Sequence, residues 1–380
     1  MIRGVRFTLV TLLNVVALTL LHGCGGGGAT TSSEGHVVEM RYATNLTMEE
    51  HDGFTVASIR NPWDTTRTLH TYLLLDSCTQ RPQGWADATV LHVPLRDAVV
   101  YSVVHTSLIN ELGSPDAITG VCDVEYVFQP WLQQRIADGL TADCGNSMSP
   151  NVERILQLRP GAVLLSPFEN SGGYGKLGHA GIPIVECADY METSPLGRAE
   201  WMKFYGRLFG VTERADSMFD ATERQYLALR DQAAASDTRP KVLLDRIYGQ
   251  GWNVPGGRST MGRMITDAGG TNPFADRDVA GSLQLSPETV LVDAGDADVW
   301  LIRYSYTPLS LTILGDDRPL YRQFRAYREG NVFGSESSKS HIFDEVAFHP
   351  QWLLADMISI LHPEIEPTVT PRGYFRRLNP

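Results

Sequence analysis

The chain has 380 residues, 43% of them hydrophobic, which is long enough for two domains with separate cores. The formal net charge is −12, and the Lys and Arg residues are scattered along the chain instead of forming a tract. The sequence therefore offers no positive surface for phosphate backbones, and we expect no nucleic-acid partner.

Residues 1–24 have the pattern of an export signal. Arg3 and Arg6 precede an apolar run over residues 7–21, which is typical of a secretory signal and not of a spanning helix. The run ends in Leu21-His22-Gly23-Cys24, which resembles a bacterial lipobox, with His22 in place of the usual small residue. The resemblance implies a diacylated Cys24 that holds the protein at a membrane. An uncleaved signal anchor with an incidental cysteine is the alternative.

Two segments separate this signal from the main body. Residues 25–36 are rich in Gly, Ser and Thr, which predicts a flexible tether. Within residues 37–87, the alternation of apolar and polar residues at 38–42 and 54–59, around the turn residues His51-Asp52-Gly53, predicts antiparallel strands. We expect a β-hairpin preamble that packs on the first lobe.

Residues 88–196 alternate short apolar runs with helical segments, which predicts an α/β lobe with a parallel sheet. The expected strands are 99–104, 118–121, 162–166 and 182–186, and the expected helices include 107–112 and 152–158. Ligands bind beyond the carboxyl ends of such strands. Residues 122–123, 167–174 and 187–191 should therefore share one rim.

A long helical segment over residues 197–236 is expected to join the two lobes, with an interruption at Gly210. Its aromatic residues recur at helical spacing, which predicts core packing and not a cofactor site. Residues 237–363 predict a second α/β lobe with strands at 242–247, 290–293, 299–304 and 331–333, and residues 364–380 form a C-terminal tail. The predicted fold class is α/β, with two parallel-sheet lobes joined by one long helix.

Several segments occur in a recognisable order. They are Ser149-Pro150-Asn151-Val152-Glu153-Arg154-Ile155 with the following Leu-x-Pro-x-x-Val pattern up to Leu165, Gly181-Ile182-Pro183-Ile184-Val185, Ala268-Gly269-Gly270-Thr271-Asn272-Pro273-Phe274, and Leu285-Ser286-Pro287-Glu288-Thr289-Val290-Leu291. Together they resemble the siderophore, haem and cobalamin binding proteins of ABC importers over residues 88–362. Gly161 stands where that family usually has Asp.

The resemblance implies a rigid pair of lobes with a shallow cleft and limited closure. It also implies that one glutamate per lobe docks on arginines of a permease dimer, and these glutamates map onto Glu153 and Glu288. An exposed ion pair contributes only about 0 to 1 kcal/mol, so the two carboxylates would set orientation and encounter rate. An ordinary role as first-turn helix glutamates is the alternative for each.

The predicted rims carry aromatic, polar and basic residues. Aromatic faces can cover a macrocycle or a catecholate, and arginine can pair with carboxylate or phosphate, which favours a bulky, partly anionic chelate. Solvated or structural roles remain open for each residue, as they do for Lys339 and His341 nearby. The candidate ligand-binding residues are Asn146, Ser147, Phe168, Asn170, Ser171, Tyr174, Tyr190, Trp252, Arg258, Arg303, Tyr304 and Tyr306.

No pattern in the sequence indicates catalysis or a bound cofactor. The histidines lack the close spacing of zinc ligands, and no Gly-x-Ser-x-Gly elbow occurs. Cys78, Cys122, Cys144 and Cys187 could pair in three ways or stay reduced, and a buried, silent role is favoured.

The sequence thus predicts a monomeric, lipid-anchored binding protein of an ABC importer for a ferric siderophore, on the periplasmic side of a bacterial membrane. A corrinoid or haem ligand is the first alternative. A surface enzyme, a metal chaperone or a binding module outside transport, on the same scaffold, is the second.

Overall fold

The computed structural model describes residues 35–76, 78–169 and 172–380. The signal, Cys24, most of the tether, and the candidate residues Asn170 and Ser171 lie outside the described residues. In the described part of the chain, no helix combines the length and the apolar character needed to cross a membrane.

The strands are β1 (His36–Val38), β2 (Leu46–His51), β3 (Phe54–Arg60), β4 (Thr68–Asp76), β5 (Thr89–Val93), β6 (Ala98–Val100), β7 (Ile118–Val121), β8 (Ala142–Asp143), β9 (Gly145–Asn146), β10 (Ser149–Pro150), β11 (Ala162–Leu165), β12 (Ile184–Glu186), β13 (Val242–Leu244), β14 (Ile247–Tyr248), β15 (Gly251–Pro255), β16 (Ser282–Leu285), β17 (Val299–Tyr304), β18 (Val332–Glu336) and β19 (Arg376–Arg377).

The α-helices are α1 (Val103–Glu111), α2 (Pro130–Ala137), α3 (Val152–Leu158), α4 (Gly175–Gly178), α5 (Pro195–Glu200), α6 (Met202–Leu208), α7 (Thr212–Ala234), α8 (Thr260–Asp267), α9 (Pro287–Ala294), α10 (Leu311–Asp317), α11 (Arg325–Arg328), α12 (Ser337–Ser340), α13 (Ile342–Glu345) and α14 (Pro350–Leu361).

The N-terminal segment forms a five-stranded sheet in the order β1-β2-β3-β4-β5, so it is more than the hairpin that the sequence predicts. The turn at residues 51–53 and the strand at 54–59 are confirmed. The sheet extends to Val93 because β5 pairs in parallel with β4. Apolar residues of this sheet belong to the same core cluster as apolar residues of the first lobe.

The predicted strand at 38–42 is wrong beyond Val38. The carboxylate of Glu200 accepts the backbone amides of residues 41, 42 and 43 at 2.7 to 2.9 Å. The carboxylate of Glu192 accepts those of residues 44 and 45 at 2.9 Å. These two buried side chains satisfy amides that would otherwise need a neighbouring strand.

The first lobe contains a parallel sheet in the order β12-β11-β6-β7-β8. The predicted strand at 118–121 is confirmed, and those at 162–166 and 182–186 are confirmed with shorter bounds. The strand predicted over 99–104 ends at Val100. It stops there because the hydroxyl of Ser102 accepts the amide of Val104 at 3.3 Å and caps α1.

The second lobe contains the sheet β13-β17-β18-β19, in which β19 alone is antiparallel. Residues 290–293 lie in α9 and not in a strand, because Ser286 caps a helix that has Pro287 at its first position. The predicted tail is part of this lobe, since β19 pairs with β18 and Tyr374 and Phe375 are buried.

The connection between the lobes is three helices, so the prediction of one long helix over 197–236 is wrong for its first half. The predicted break at Gly210 is confirmed, since this residue has φ +69° between α6 and α7. In α7, which has 23 residues, Phe219 packs in the first core, whereas Tyr226 and Leu229 pack in the second. Core packing of the aromatic residues is thereby confirmed.

A second connection runs from α13 to α14. Phe348 packs edge-on against Tyr205 of α6, within the first core, at a centroid distance of 5.7 Å. Nε2 of His349 lies 2.5 Å from Oε2 of Glu111 in α1. Two separate segments therefore tie the lobes together and restrict their relative rotation.

Candidate ligand-binding site

A cavity of about 600 Å³ lies at the carboxyl ends of the first-lobe strands. Tyr101 follows β6, Cys122 and Asp123 follow β7, and Ser166 and Phe168 follow β11, and all five residues line the cavity. In an open parallel sheet this edge is where ligands bind.

The mouth of the cavity carries exposed apolar side chains. Tyr126 is 52% exposed, Phe168 49% and Met148 77%. Grouped apolar side chains of this size on a soluble protein mark a binding surface. The side chains at the mouth can therefore pack against a ligand that has flat or rounded apolar faces.

Asp123 connects the cavity to the β9-β10 hairpin. It has a left-handed backbone conformation, with φ 51°, and its amide donates to the carbonyl of Gly145 at 2.8 Å. Its Oδ1 accepts the amide of Ser147 at 2.9 Å. A non-glycine residue held in this conformation is a frequent feature of binding sites, and here it fixes a carboxylate in the wall.

Burial controls the chemistry of the other polar groups in the wall. Burial raises the pKa of Tyr101 above its usual range, and its buried hydroxyl has no hydrogen-bond partner among the described residues. Burial likewise raises the pKa of Cys122 and, outside the wall, raises that of Cys144 in the same core cluster to about 11. Both cysteines form no disulfide, so they are protonated thiols of low reactivity.

Tyr174 is linked to the N-terminal sheet through Glu186. Its hydroxyl donates to Oε1 of Glu186 at 2.6 Å. Oε2 of Glu186 lies 3.2 Å from Nδ1 of His70, which stacks on Tyr72 at 4.4 Å between centroids. The sheet that precedes the first lobe thus helps to position one wall of the cavity.

The second lobe reaches the first near the cavity through Tyr306. This exposed residue has φ +63°, its hydroxyl donates to the carbonyl of Glu125 at 3.5 Å, and its ring lies 6.1 Å from that of Phe128. Since Glu125 and Phe128 flank the wall residue Tyr126, Tyr306 lies at the edge of the cleft.

Arg303 lies elsewhere. It lines a separate cavity of about 130 Å³ together with Arg198 and Phe343. Its Nε donates to Oδ1 of Asp245 at 3.0 Å, and a second bond joins the same two side chains. A bidentate pair of this kind leaves little of the guanidinium for a ligand.

The structure brings Ser147, Phe168 and Tyr174 of the predicted set into the wall of the cavity at the strand ends. Asn146 instead accepts the amide of Met148 at 2.9 Å and stabilises its own turn. Tyr190, which is 37% exposed, lies outside the wall, and its hydroxyl donates to the carbonyl of Pro167 in the rim loop.

The second-lobe candidates other than Tyr306 lie away from this wall. Arg258 is exposed and paired with Asp278. The carbonyl of Tyr304 accepts the hydroxyl of Ser337 at 3.2 Å.

The placement of Trp252 in the cleft is wrong. Its side chain is 0% exposed, Nε1 donates to the carbonyl of Leu244 at 3.0 Å, and its ring packs 5.6 Å from that of Trp300. Trp252 is a core residue of the second lobe.

Tyr101, Tyr126 and Met148 line the cavity but are absent from the predicted set. The rule that ligands lie beyond strand ends could have found Tyr101, which directly follows β6. The described residues contain no group of three His, Cys, Asp or Glu side chains arranged to hold a metal ion.

Two α/β lobes, tied by two segments and carrying a cavity at the strand ends, define the fold of a substrate-binding protein. Residues 99–338 match the periplasmic binding protein family, and the chain belongs to this family. Its members bind substrates for transport and are not enzymes as a class.

Known proteins agree with this assignment. An uncharacterized lipoprotein of Methanocaldococcus jannaschii is 27% identical over 355 residues, which cover 86% of this chain and 82% of that protein. A periplasmic heme binding protein from Pseudomonas aeruginosa superimposes with a TM-score of 0.59 at 18% identity, over 74% of this chain and 97% of that one. An ABC transporter substrate-binding protein from Listeria monocytogenes gives a TM-score of 0.56 at 19% identity, over 70% and 99%. These structural likenesses confirm the predicted fold class.

Proposed function

We propose that this chain is the substrate-binding lipoprotein of an ABC importer, that it captures a ferric siderophore or a similar metal chelate, and that it passes this ligand to a permease dimer. The observation that carries the proposal is the cavity at the strand ends, with exposed Tyr126, Met148 and Phe168 at its mouth. A bulky chelate would cover these side chains and remove their apolar surface from water.

The linkage between the lobes supports binding to a preformed site. Helix α7 enters both cores, and the pair of His349 with Glu111 adds a second tie. A site that needs little rearrangement loses less conformational entropy on binding, and this favours high affinity.

Haem and corrinoids are the alternative ligands, because a cavity of about 600 Å³ can cover much of a macrocycle. Haem iron also needs an axial ligand. Tyr126, Met148 or Tyr174 in the wall could supply one, since phenolate and thioether groups both ligate haem iron.

The anchor belongs to the same proposal. Lipidation of Cys24 would hold the protein on the periplasmic side of the membrane, and the Gly-, Ser- and Thr-rich segment that follows Cys24 would let the folded body reach a permease. The name of the Methanocaldococcus jannaschii relative, a lipoprotein, supports this placement. We expect the protein to act as a monomer with one ligand.

The test is isothermal titration of the purified protein with ferric desferrioxamine B, cyanocobalamin and haemin. We expect sub-micromolar binding of at least one, and we expect Phe168→Ala to weaken it by about fivefold or more through lost apolar contact. Ile313→Ala is the matched control, because Ile313 is 47% exposed, close to the 49% of Phe168, but lies outside the cavity wall.

The proposal fails if folded protein binds none of the three ligand types, or if the two variants weaken binding equally. Turnover of a bound ligand, or bare metal that copurifies in stoichiometric amount, would instead favour an enzyme or a metal chaperone on this scaffold.

A further inference from the structure

The wall of the cavity at the strand ends carries a net negative charge. Among its described residues, Asp123 is the one acidic side chain, and none is Lys, Arg or His. Asn170 and Ser171, which precede the wall residue Tyr174 in sequence, are uncharged by type. Lys176 follows the wall residue Gly175 in α4 but is not itself part of the wall.

The basic side chains expected at the cleft already have acidic partners. Each forms an ion pair within the second lobe, so its charge is compensated before any ligand arrives. The pairs are Arg258 with Asp278, Arg303 with Asp245, and Lys339 with Glu336.

The carboxylate of Asp123 has no such compensation. Its Oδ1 accepts the amide of Ser147 at 2.9 Å, and no basic side chain of the described residues lies within ion-pair distance of it. The chain as a whole carries −12, which adds a negative field at long range. A polyanion entering this cavity would meet repulsion and no counter-charge.

Donor groups in the same wall call for acceptor atoms on the ligand. The hydroxyl of Tyr101 is buried without a partner among the described residues, and a buried donor of this kind is costly unless a ligand supplies an oxygen. Ser102 and Val103 place the N-terminus of α1 at the wall. That helix end carries only about half a positive charge, which suits neutral carbonyl oxygens and does not offset several full negative charges.

We infer that the ligand is a neutral or positively charged metal chelate that presents carbonyl or hydroxamate oxygens to Tyr101 and a cationic or donor group to Asp123. The inference rests on the proposed function and narrows it. From the sequence, Arg258 and Arg303 favour a partly anionic chelate. We no longer expect such a ligand, because both guanidinium groups are paired with carboxylates of the protein itself.

The test is isothermal titration with three ferric complexes that differ in charge. They are a triply negative tris-catecholate, a neutral trihydroxamate, and ferric desferrioxamine B, which carries one free ammonium group. We expect the neutral and positive complexes to bind and the tris-catecholate to bind at least about tenfold more weakly.

Two isosteric variants separate charge from structure. Asp123→Asn should weaken the positive complex by about five- to tenfold more than the neutral one. Asp143→Asn should leave that ratio unchanged, because Asp143 also accepts an amide, that of Gly145 at 2.8 Å, but lies outside the wall.

Equal or tighter binding of the tris-catecholate would overturn the charge inference and leave the binding function standing. Equal weakening of the neutral and positive complexes by Asp123→Asn would also overturn it. If folded protein binds none of the three complexes, nor haemin or cyanocobalamin, the proposed function itself is lost.

Discussion

Glu153 and Glu288 occupy the same position in the two lobes, since each is the second residue of a helix and is exposed. In α3 the side chain of Asn151 accepts the amide of the third helical residue at 3.0 Å. In α9 the side chain of Ser286 does the same at 3.1 Å. Local capping thus exposes one carboxylate per lobe at the same helical position, and we predict that both carboxylates dock on the permease dimer.

Replacing both glutamates with alanine should abolish ligand uptake while ligand affinity stays within about twofold of wild type. Stability should fall by only about 1 kcal/mol, because each carboxylate interacts favourably with its helix N-terminus and with little else. Uptake of radiolabelled iron chelate in cells and titration of purified protein measure the two effects.

Glu213→Ala is the control for this double variant, because Glu213 is also an exposed first-turn glutamate, in α7. It should leave uptake unchanged. Full uptake by the double variant would show that the glutamates serve only their helices, and the permease would then have to dock elsewhere.

Trp252→Phe should destabilise the second lobe without affecting the ligand. The smaller ring leaves a void beside Trp300 and removes the donor to the carbonyl of Leu244, which together should cost about 2 kcal/mol. Urea denaturation measures the loss and titration measures the affinity. A large fall in affinity with unchanged stability would restore Trp252 to the binding site.

The sequence predicts strands well where a short apolar run is bounded by turn residues, as at 118–121 and 299–304. It fails at 290–293, because four apolar-rich residues suit a buried strand and a helix face equally. The cap at Ser286 decides between them. One long helix is predicted over 197–236 because the apolar spacing stays helical throughout this segment. The chain nevertheless breaks within the segment, so its first half forms the separate short helices α5 and α6.

The sequence predicts some residues of the candidate site and misses others, and the accuracy again depends on where the strands are predicted to end. The strand-end rule places Asp123, Phe168 and Tyr174 at the cavity, because it depends only on where strands stop. Tyr101 is missed because the strand is predicted to continue past Val100. Trp252 is misplaced because its contact with Trp300 joins residues distant in sequence.

Tyr174→Phe should weaken ligand binding by about two- to fivefold. The variant loses the hydrogen bond to Glu186, which holds the ring of Tyr174 in the wall, and the backbone at this residue is already in the left-handed conformation, with φ +62°. Tyr190→Phe is the matched control, since its hydroxyl also donates to an acceptor but its ring is outside the wall. Titration of both variants with the same ligand measures whether only Tyr174→Phe weakens binding. Equal weakening of binding by the two variants would mean that these hydroxyl groups affect affinity only through the stability of the fold.

Asp189 should govern the acid limit of stability. It is fully buried, with its Oδ1 2.8 Å from Nε2 of His105 and 3.0 Å from the hydroxyl of Tyr205, and its Oδ2 3.0 Å from Nε of Arg198. Burial alone would raise the pKa of Asp189, but His105 and Arg198 outweigh it and lower the pKa from 3.8 to about 2.

A carboxyl whose pKa is lower in the folded state stabilises the protein above its unfolded pKa, and this contribution is lost as the pH falls from about 4 to about 2. Asp189→Asn should therefore lower the free energy of unfolding by about 2 to 3 kcal/mol at neutral pH and by less at pH about 3. Asp231→Asn, at an exposed ion pair, should change neither value. Urea denaturation across this range measures the difference, and parallel pH profiles for wild type and Asp189→Asn would show that the buried carboxylate does not set the acid limit.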